Sequence, residues 1–347
     1  MNYMIVTRVD KPNRFISKFD TATGFYLRSN TFDQKGLMTT AEPFMASFPE
    51  LLDIGIMGRC KNAHRCKIGC YQGQHSKGEN MKFEDYKSII NQCRGKTFQV
   101  ALGGAGSPDE HENFREILKY TREQNIVPNY TTSGIDVSAY TAYLTKLYCG
   151  AVAVSWYREE YTNNAIRLFL EHGCTTNIHY VLSESSIDEA LDILRGVISI
   201  PMGINALIFL LYKPIGKGIK KEILRGDKVS ELVKLISQKH PFKIGFDSCS
   251  IPMLVSNSAD VDDASIDSCE GGRYSAYISA NMVMSPCSFD RSEKYGVSLR
   301  NSSIEQVWKS KEFKKFRGKL KSCEGCLTKV CLGPCPIVPE ITECLGR

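Results

Sequence analysis

The sequence predicts an α/β fold in which a partial (β/α)6 TIM-like barrel is followed by a cysteine-rich carboxy-terminal domain. Two observations lead to this prediction. From residue 51 onward, short apolar runs alternate with amphipathic helical patterns, the order that builds a parallel sheet with right-handed crossovers. Three cysteines follow the first apolar run, and eight more lie beyond residue 248. We expect ligands at the carboxyl ends of the strands, where barrels of parallel strands bind them.

Six apolar runs are the strand candidates of the barrel. In chain order they cover residues 51–57, 97–102, 127–132, 150–155, 176–182 and 205–211. Helical spacing between them is clear at Phe114, Ile117, Leu118 and Thr121. Six such strands form a partial barrel, because a closed barrel of this type needs eight.

The amino-terminal segment is predicted to be a β-hairpin. Residues 14–29 alternate in polarity on either side of residues 20–24, whose composition is typical of a turn. We interpret residues 1–48 as a cap, residues 49–238 as the barrel and residues 239–347 as the carboxy-terminal domain. A short hairpin also offers an edge strand that a peptide can pair with.

Composition indicates a globular cytoplasmic protein. The chain has 347 residues, of which 42% are hydrophobic, enough for a sizeable core. Its longest apolar run, 206–212, is too short to cross a bilayer, and no signal-peptide pattern begins the chain. A net charge of +6 is a mild excess that does not by itself indicate nucleic acid. Fourteen cysteines in a reducing compartment point to metal binding rather than to disulfides.

The first cysteine group, Cys60, Cys66 and Cys70, has the spacing C-x5-C-x3-C and directly follows the first strand candidate. Iron–sulfur clusters normally take four cysteines, so three in one loop indicate a cluster with one iron open to substrate. Reduced structural thiols or a zinc site are the alternatives.

This arrangement resembles the radical SAM enzymes, which carry three cysteines in the loop after the first barrel strand. The family spacing is usually C-x3-C-x2-C with an aromatic residue before the third cysteine, whereas here Gly69 precedes Cys70 and Tyr71 follows it. The resemblance implies a [4Fe–4S] cluster that binds S-adenosylmethionine (SAM). Reductive cleavage of SAM would then give a 5′-deoxyadenosyl radical that abstracts hydrogen from substrate. Tyr71 is the candidate contact for the adenine ring.

A glycine-rich stretch ends the second strand candidate, and it is the main candidate for binding SAM. Glycines let the backbone approach a ligand and leave amides available to it, although a tight turn is the alternative. The stretch resembles the family motif that binds the SAM amino group, with Ala105 in place of an acidic residue. The amino group would then meet backbone carbonyls or Ser107. The residues concerned are Gly103, Gly104, Ala105, Gly106 and Ser107.

Later strand ends supply further candidates for SAM contacts. A hydroxyl and a cation suit the ribose and the carboxylate of SAM, since arginine can bind a carboxylate with two hydrogen bonds. An exposed arginine or a structural histidine is the alternative at these positions. The candidates are Thr132, Ser155, Arg158, His179 and Leu211.

The eight carboxy-terminal cysteines resemble the SPASM extension of radical SAM enzymes, which carries two auxiliary [4Fe–4S] clusters. The resemblance implies one cluster held by Cys249, Cys269, Cys287 and Cys335. It implies a second held by Cys323, Cys326, Cys331 and Cys344. Two zinc ribbons are the alternative, because cysteine tetrads also suit Zn²⁺.

The resemblance implies an oxidoreductase with three [4Fe–4S] clusters that modifies a ribosomally made peptide, by a C–C or C–S crosslink or a related change. Its partners would be a peptide with a leader and a flavodoxin- or ferredoxin-type electron donor. Oxidation of a small molecule, or sulfatase maturation, is the second hypothesis. A zinc protein that binds nucleic acid through basic helices, such as the one near residues 308–317, is the third. The sequence does not indicate the substrate or the catalytic acid or base.

Overall fold

A ten-stranded sheet dominates the structure, a computed structural model that describes residues 4–29, 31–32, 35–39, 43–65, 70, 78–215, 224, 226–257, 266–290, 292–324 and 331–341. Its barrel strands are β6 (Leu51–Met57), β7 (Gln99–Gly104), β8 (Val127–Thr132), β9 (Val152–Ser155), β10 (Thr176–Leu182), β11 (Ala206–Leu211) and β12 (Lys243–Phe246). The carboxy-terminal strands are β13 (Ser275–Ile278), β14 (Val283–Ser285) and β15 (Val297–Ser298). Their spatial order is β12-β11-β10-β9-β8-β7-β6-β13-β14-β15.

Helices connect the parallel strands, as the alternating pattern predicts. They are α1 (Phe83–Cys93), α2 (Phe114–Glu123), α3 (Ala139–Tyr148), α4 (Glu160–Glu171), α5 (Ile187–Leu194) and α6 (Lys228–Ile236). The carboxy-terminal helices are α7 (Ile251–Asn257), α8 (Ile304–Trp308) and α9 (Lys311–Arg317). Within the described ranges, no helix has both the length and the apolar character needed to cross a membrane.

The two faces of the sheet differ in polarity. Along β10, Ile178 and Tyr180 are buried and belong to the hydrophobic core that packs against the helices. The alternate residues Asn177 and His179 are only partly buried. Because successive strand residues point to opposite faces, these polar residues share the inner face of the barrel.

The six predicted strands are confirmed, and two further strands extend the parallel sheet at its two ends. β12 pairs in parallel with β11, and β13 pairs in parallel with β6 at the opposite side. Both lie in the segment that the sequence assigns to the carboxy-terminal domain. The barrel and that segment therefore share one sheet, while the boundaries at residues 48 and 238 stay predictions.

The amino-terminal hairpin is also confirmed, within a three-stranded antiparallel sheet. Its strands are β1 (Ile5–Asp10), β2 (Phe15–Asp20) and β3 (Tyr26–Ser29), and two short strands, β4 (Thr31–Phe32) and β5 (Met38–Thr39), follow. The Asp20 carboxylate accepts hydrogen bonds from the Ala22 amide and the Thr23 hydroxyl in the β2–β3 turn, each at 2.8 Å. Phe19 stacks on Phe98, with ring centroids 5.4 Å apart, so this sheet packs against the segment that leads into β7.

A buried group of charges joins the amino-terminal sheet to the rest of the fold. The Arg28 side chain, 5% exposed, forms ion pairs with Glu270 and with Glu50, the latter at 3.6 Å. Its guanidinium carbon lies 3.5 Å from the centroid of the Tyr274 ring. Glu50 also accepts a hydrogen bond from the Ser17 hydroxyl at 2.5 Å. One arginine of β3 thus neutralises carboxylates from two other parts of the chain.

Substitution of Arg28 by Met should destabilise the protein by about 3–5 kcal/mol, because it leaves buried carboxylates without a cation. Urea unfolding under anaerobic conditions measures this loss. Arg167→Met is the matched control, since Arg167 pairs with Glu171 on the exposed surface of α4 and should contribute about 0.5 kcal/mol or less. Equal losses for the two variants would contradict the role given to Arg28.

Candidate active site and cluster region

The first cysteine loop begins where β6 ends. Cys60 and Cys70 are half-buried, whereas Cys66 and Tyr71 lie outside the described residues. The Gly58 amide donates to the Asn80 side chain at 3.2 Å, and the Met81 amide donates to the Ile56 carbonyl at 2.8 Å. The chain that leaves β6 therefore returns to the same strand end, which closes the loop at its base.

The glycine-rich stretch packs directly against this loop. Gly104 has φ +120°, and a Cβ there would overlap the Met57 carbonyl oxygen. A Cβ on Gly106 would lie 2.6 Å from the Arg59 carbonyl oxygen. The Ala105 amide donates to the Met57 carbonyl at 2.7 Å, so this amide is not available to a ligand as the sequence suggested. Gly103 differs, because a Cβ added there would have none of the described atoms within 4 Å.

Two glycine substitutions should therefore give different results. Gly103→Val places methyl groups in open space at the strand end and should weaken SAM binding while the iron content stays near that of the wild type. Gly104→Ala strains a backbone conformation that L-residues rarely adopt and pushes against β6, so it should lower both stability and iron content.

Equilibrium dialysis with labelled SAM and iron analysis measure the two effects. Wild-type SAM affinity in Gly103→Val would show that this position does not face SAM.

The remaining strand-end candidates fall into two groups. Ser155 and His179 are neighbours in the β9–β10 register and share the inner face. The side chains of Thr132 and Leu211 are 1% and 3% exposed, on the face that packs against the helices. A ligand at the strand ends would therefore meet only the backbone groups of these two residues.

Ser107 and Arg158 have partners within the protein. Ser107 donates to the Ser133 hydroxyl and accepts from the Ser133 amide, each at 2.9 Å, and so ties the end of β7 to that of β8. Arg158 is exposed and forms an ion pair with Glu189 at 2.8 Å. A ligand would have to compete with these contacts.

Burial lowers the pKa of His179 to about 4, although the nearby charge of Asp247 opposes the shift. The imidazole is therefore neutral at neutral pH. A neutral histidine on the inner face can donate one hydrogen bond and accept another.

Sequence reasoning missed Asp53, a carboxyl group on the inner face. It lies on β6, in register with Ala101 of β7 and with Tyr277 of β13. Burial raises its pKa to about 6, and the charge of Glu270 adds to the rise. The available signal was an acidic residue inside an otherwise apolar strand.

Glu110 is a second carboxylate that the sequence did not indicate. It ends a short 3-10 helix, Pro108–Glu110, which directly follows the glycine-rich stretch. Its Oε1 accepts from the side-chain amide of Asn62 at 2.7 Å, which places the Glu110 side chain against the loop between Cys60 and Cys66. Its Oε2 is buried and has no hydrogen-bond partner in the described part of the chain. A buried carboxylate oxygen in this state favours a ligand that donates a hydrogen bond.

The first carboxy-terminal cysteine set is brought together in the structure. Cys249, Cys269 and Cys335 line one cavity of about 40 Å³. A Cβ on Gly271 would lie 3.6 Å from the Cys269 sulfur and 3.8 Å from the Cys287 Cβ, which places Cys287 beside Cys269. Burial raises the pKa of Cys249, Cys269 and Cys287, to about 11 for Cys269. Four cysteines gathered around one cavity fit an iron–sulfur cluster, in which each thiolate binds a different iron, and metal binding would displace the thiol protons.

Only two cysteines of the second set, Cys323 and Cys331, are among the described residues. Cys331 lines the same cavity as the first set, and a Cβ added to Gly333 would lie 3.8 Å from the sulfur of Cys323. Cys326 and Cys344 lie outside the described residues. Among the side chains that the structure describes, no three from His, Cys, Asp and Glu are placed to hold one metal ion.

The comparison with known protein families bears on this region. Residues 269–327 match the family model of SPASM, an iron–sulfur cluster-binding domain. This stretch is therefore similar to SPASM domains. It supplies β13, which pairs with the strand that carries the first cysteine loop. No curated protein matches the chain in sequence.

Solved structures show the same fold over nearly the whole chain. Streptococcus suis SuiB bound to S-adenosylmethionine has a TM-score of 0.74 at 15% identity, over 98% of this chain and 97% of SuiB. SuiB bound to precursor peptide SuiA has a TM-score of 0.72 at 15% identity, over 96% and 94% of the two chains. Native anSMEcpe with bound AdoMet and the Cp18Cys peptide has a TM-score of 0.59 at 14% identity, over 85% and 91%. These matches confirm the predicted fold, a partial α/β barrel followed by a carboxy-terminal region similar to SPASM domains.

Proposed function

We propose that this protein is a radical SAM enzyme that oxidatively modifies a ribosomally made peptide, by a C–C or C–S crosslink or a related change. The observation that carries the proposal is the pairing of β6 with β13, which joins the strand of the three-cysteine loop to the SPASM domain. Further support comes from SuiB and anSMEcpe, which have this fold and whose structures hold S-adenosylmethionine and peptides.

The residues of this chain divide the task among them. Cys60, Cys66 and Cys70 would hold the first cluster, with one iron left for SAM. With one electron from an external donor, SAM bound there would supply the radical chemistry that removes hydrogen from substrate. Gly103 leaves room beside the strand end, and Glu110 offers the carboxylate that Ala105 lacks. The SAM amino group is a hydrogen-bond donor that suits the buried Oε2 of Glu110.

Substrate would lie on the inner face of the barrel. Ser155, Asn177 and His179 provide neutral polar groups there. Asp53, whose pKa burial raises to about 6, is a further polar group on this face, nearer the amino end of β6.

The protein would hold three clusters in all, the first cluster and two auxiliary clusters. The auxiliary clusters would take up the electron released when the product radical is oxidised. We assign one to Cys249, Cys269, Cys287 and Cys335, and the other to Cys323, Cys326, Cys331 and Cys344. A flavodoxin- or ferredoxin-type donor in the cytoplasm would supply the first electron.

The amino-terminal sheet is the candidate site for the peptide leader. Ile5 and Val9 of its edge strand β1 are 69% and 61% exposed. An extended leader pairing with β1 would cover these apolar side chains and use the outer edge of the strand.

Sulfatase maturation or small-molecule oxidation remains the second hypothesis, since the same site chemistry serves each. The zinc and nucleic-acid hypothesis loses part of its support. Arg317, counted in the basic helix, is 7% exposed and donates to the Trp308 carbonyl at 2.8 Å.

Single substitutions Cys60→Ala, Cys66→Ala and Cys70→Ala should each abolish formation of 5′-deoxyadenosine. The wild type should contain about twelve irons and the triple variant about eight, because a four-cysteine cluster does not depend on this loop. Chromatographic assay of 5′-deoxyadenosine and iron analysis measure both. Four irons with bound zinc in the wild type would contradict the auxiliary clusters, and 5′-deoxyadenosine from any single variant would contradict the ligand assignment.

Glu110→Gln should weaken SAM binding about tenfold, the effect of losing one charge-assisted hydrogen bond. Binding of 5′-methylthioadenosine, which lacks the amino acid part of SAM, should not change. Glu112→Gln is the matched control, because Glu112 also accepts from an asparagine amide, at 2.9 Å, but is exposed. Equal weakening of both ligands by Glu110→Gln would mean that Glu110 only supports the loop.

A further inference from the structure

Lys213 is a buried cation at the junction of the barrel and the cysteine-rich region. It follows the end of β11, and its side chain is 4% exposed. The ammonium donates to the Leu211 carbonyl at 2.7 Å and forms an ion pair with Asp247. It also lies 4.6 Å from the centroid of the Phe289 ring. Burial of an ammonium costs several kcal/mol unless nearby groups compensate its charge.

The groups that contact Lys213 lie next to members of the first auxiliary cysteine set. Asp247 precedes Cys249 by two residues, and Phe289 follows Cys287 by two. Lys213 lies close enough to lower the pKa of both thiols, against the larger rise that burial causes. Burial by itself lowers the pKa of Lys213, but the charge and the hydrogen bond of Asp247 and the neighbouring Cys249 and Cys287 together raise it more, so the ammonium stays protonated.

Other charges near this cysteine set are engaged elsewhere. Asp247 also accepts from the Leu211 amide at 3.2 Å and from the Ser250 hydroxyl at 2.8 Å, so three groups share its carboxylate. Glu270 pairs with Arg28, and Arg273 donates to the Cys269 carbonyl at 3.1 Å. Among the described residues, Lys213 is thus a buried cation held beside Cys249 and Cys287 by its contacts with Asp247 and Phe289.

We propose that Lys213 raises the reduction potential of the auxiliary cluster held by Cys249, Cys269, Cys287 and Cys335, and that Asp247 lowers it. The inference rests on the proposed function, which supplies the cluster. Reduction would add one electron, and hence one negative charge, to the cluster. A nearby ammonium on a side chain that is 4% exposed would stabilise the reduced form, because water screens its charge little. The carboxylate has the opposite effect.

Charge-changing substitutions in the full-length holoenzyme test this inference. Lys213→Met removes the cation with little change in volume, Lys213→Arg keeps it, and Asp247→Asn removes the anion. Each variant is titrated anaerobically with sodium dithionite as the electron donor, and EPR spectroscopy follows each reduced cluster. The cluster of the second cysteine set serves as an internal reference. Lys228→Met is the control for a distant exposed cation, since Lys228 pairs with Asp188 at 2.7 Å.

The potential of one auxiliary cluster should fall in Lys213→Met, rise in Asp247→Asn and stay near the wild-type value in Lys213→Arg and Lys228→Met. The second auxiliary cluster should not shift. A purely structural role would lower occupancy without producing shifts of opposite sign. If Lys213→Met does not retain the cluster, the inference is tested by Asp247→Asn alone. A rise in the reduction potential of that variant supports it, and a fall contradicts it.

Unchanged potentials in variants that retain their iron, or shifts of the same sign, would overturn the inference while leaving the proposed function intact. A wild type without auxiliary iron would overturn the proposed function itself, and the inference with it.

Discussion

The pairing of β6 with a parallel strand on each side is the constraint on which the rest of this structure depends. β7 pairs along one side of β6 and β13 along the other, with Leu51 in register with both Gln99 and Ser275. Because all three strands run in parallel, their carboxyl ends meet at the same edge of the sheet. The cysteine loop, the glycine-rich stretch and the SPASM segment are thereby held together, although more than 200 residues separate the first from the last.

The sequence was sufficient for the elements whose signal is local. Each of the six apolar runs from residue 51 to residue 211 forms a strand. A run of this length is recognisable from its own residues, because most of its side chains are apolar and become buried. β12 and β13 carry no such signal. β12 has four residues and includes Gly245, while β13 alternates in polarity, so both are defined by the partner strand rather than by their own composition.

The candidate site shows the same division between local and long-range information. The resemblance of the cysteine pattern to the SPASM extension grouped Cys249, Cys269 and Cys287, and the structure brings these residues close together. The direction of a side chain at a strand end depends on which face the helices cover, so the sequence could not show that the side chains of Thr132 and Leu211 are buried against the helices. Glu110 was missed because its partner, Asn62, is brought to it by the fold, 48 residues away in the chain.

Buried cations mark the places where separate segments meet. Arg28 neutralises carboxylates of the β6 entry and of the residue after Cys269, and Lys213 neutralises the residue that precedes Cys249 by two. Isolated charges in such positions would destabilise the fold, so each cation requires its partners from distant segments to be in place. Arg28 thus makes the amino-terminal sheet, the barrel and the SPASM domain depend on one another. Both cations also lie beside predicted cluster ligands, where negative charge would accumulate on reduction. Each cation pairs with a carboxylate that lies one or two residues from a cluster cysteine. The same ion pair therefore neutralises the carboxylate and brings the cation close to the cysteine.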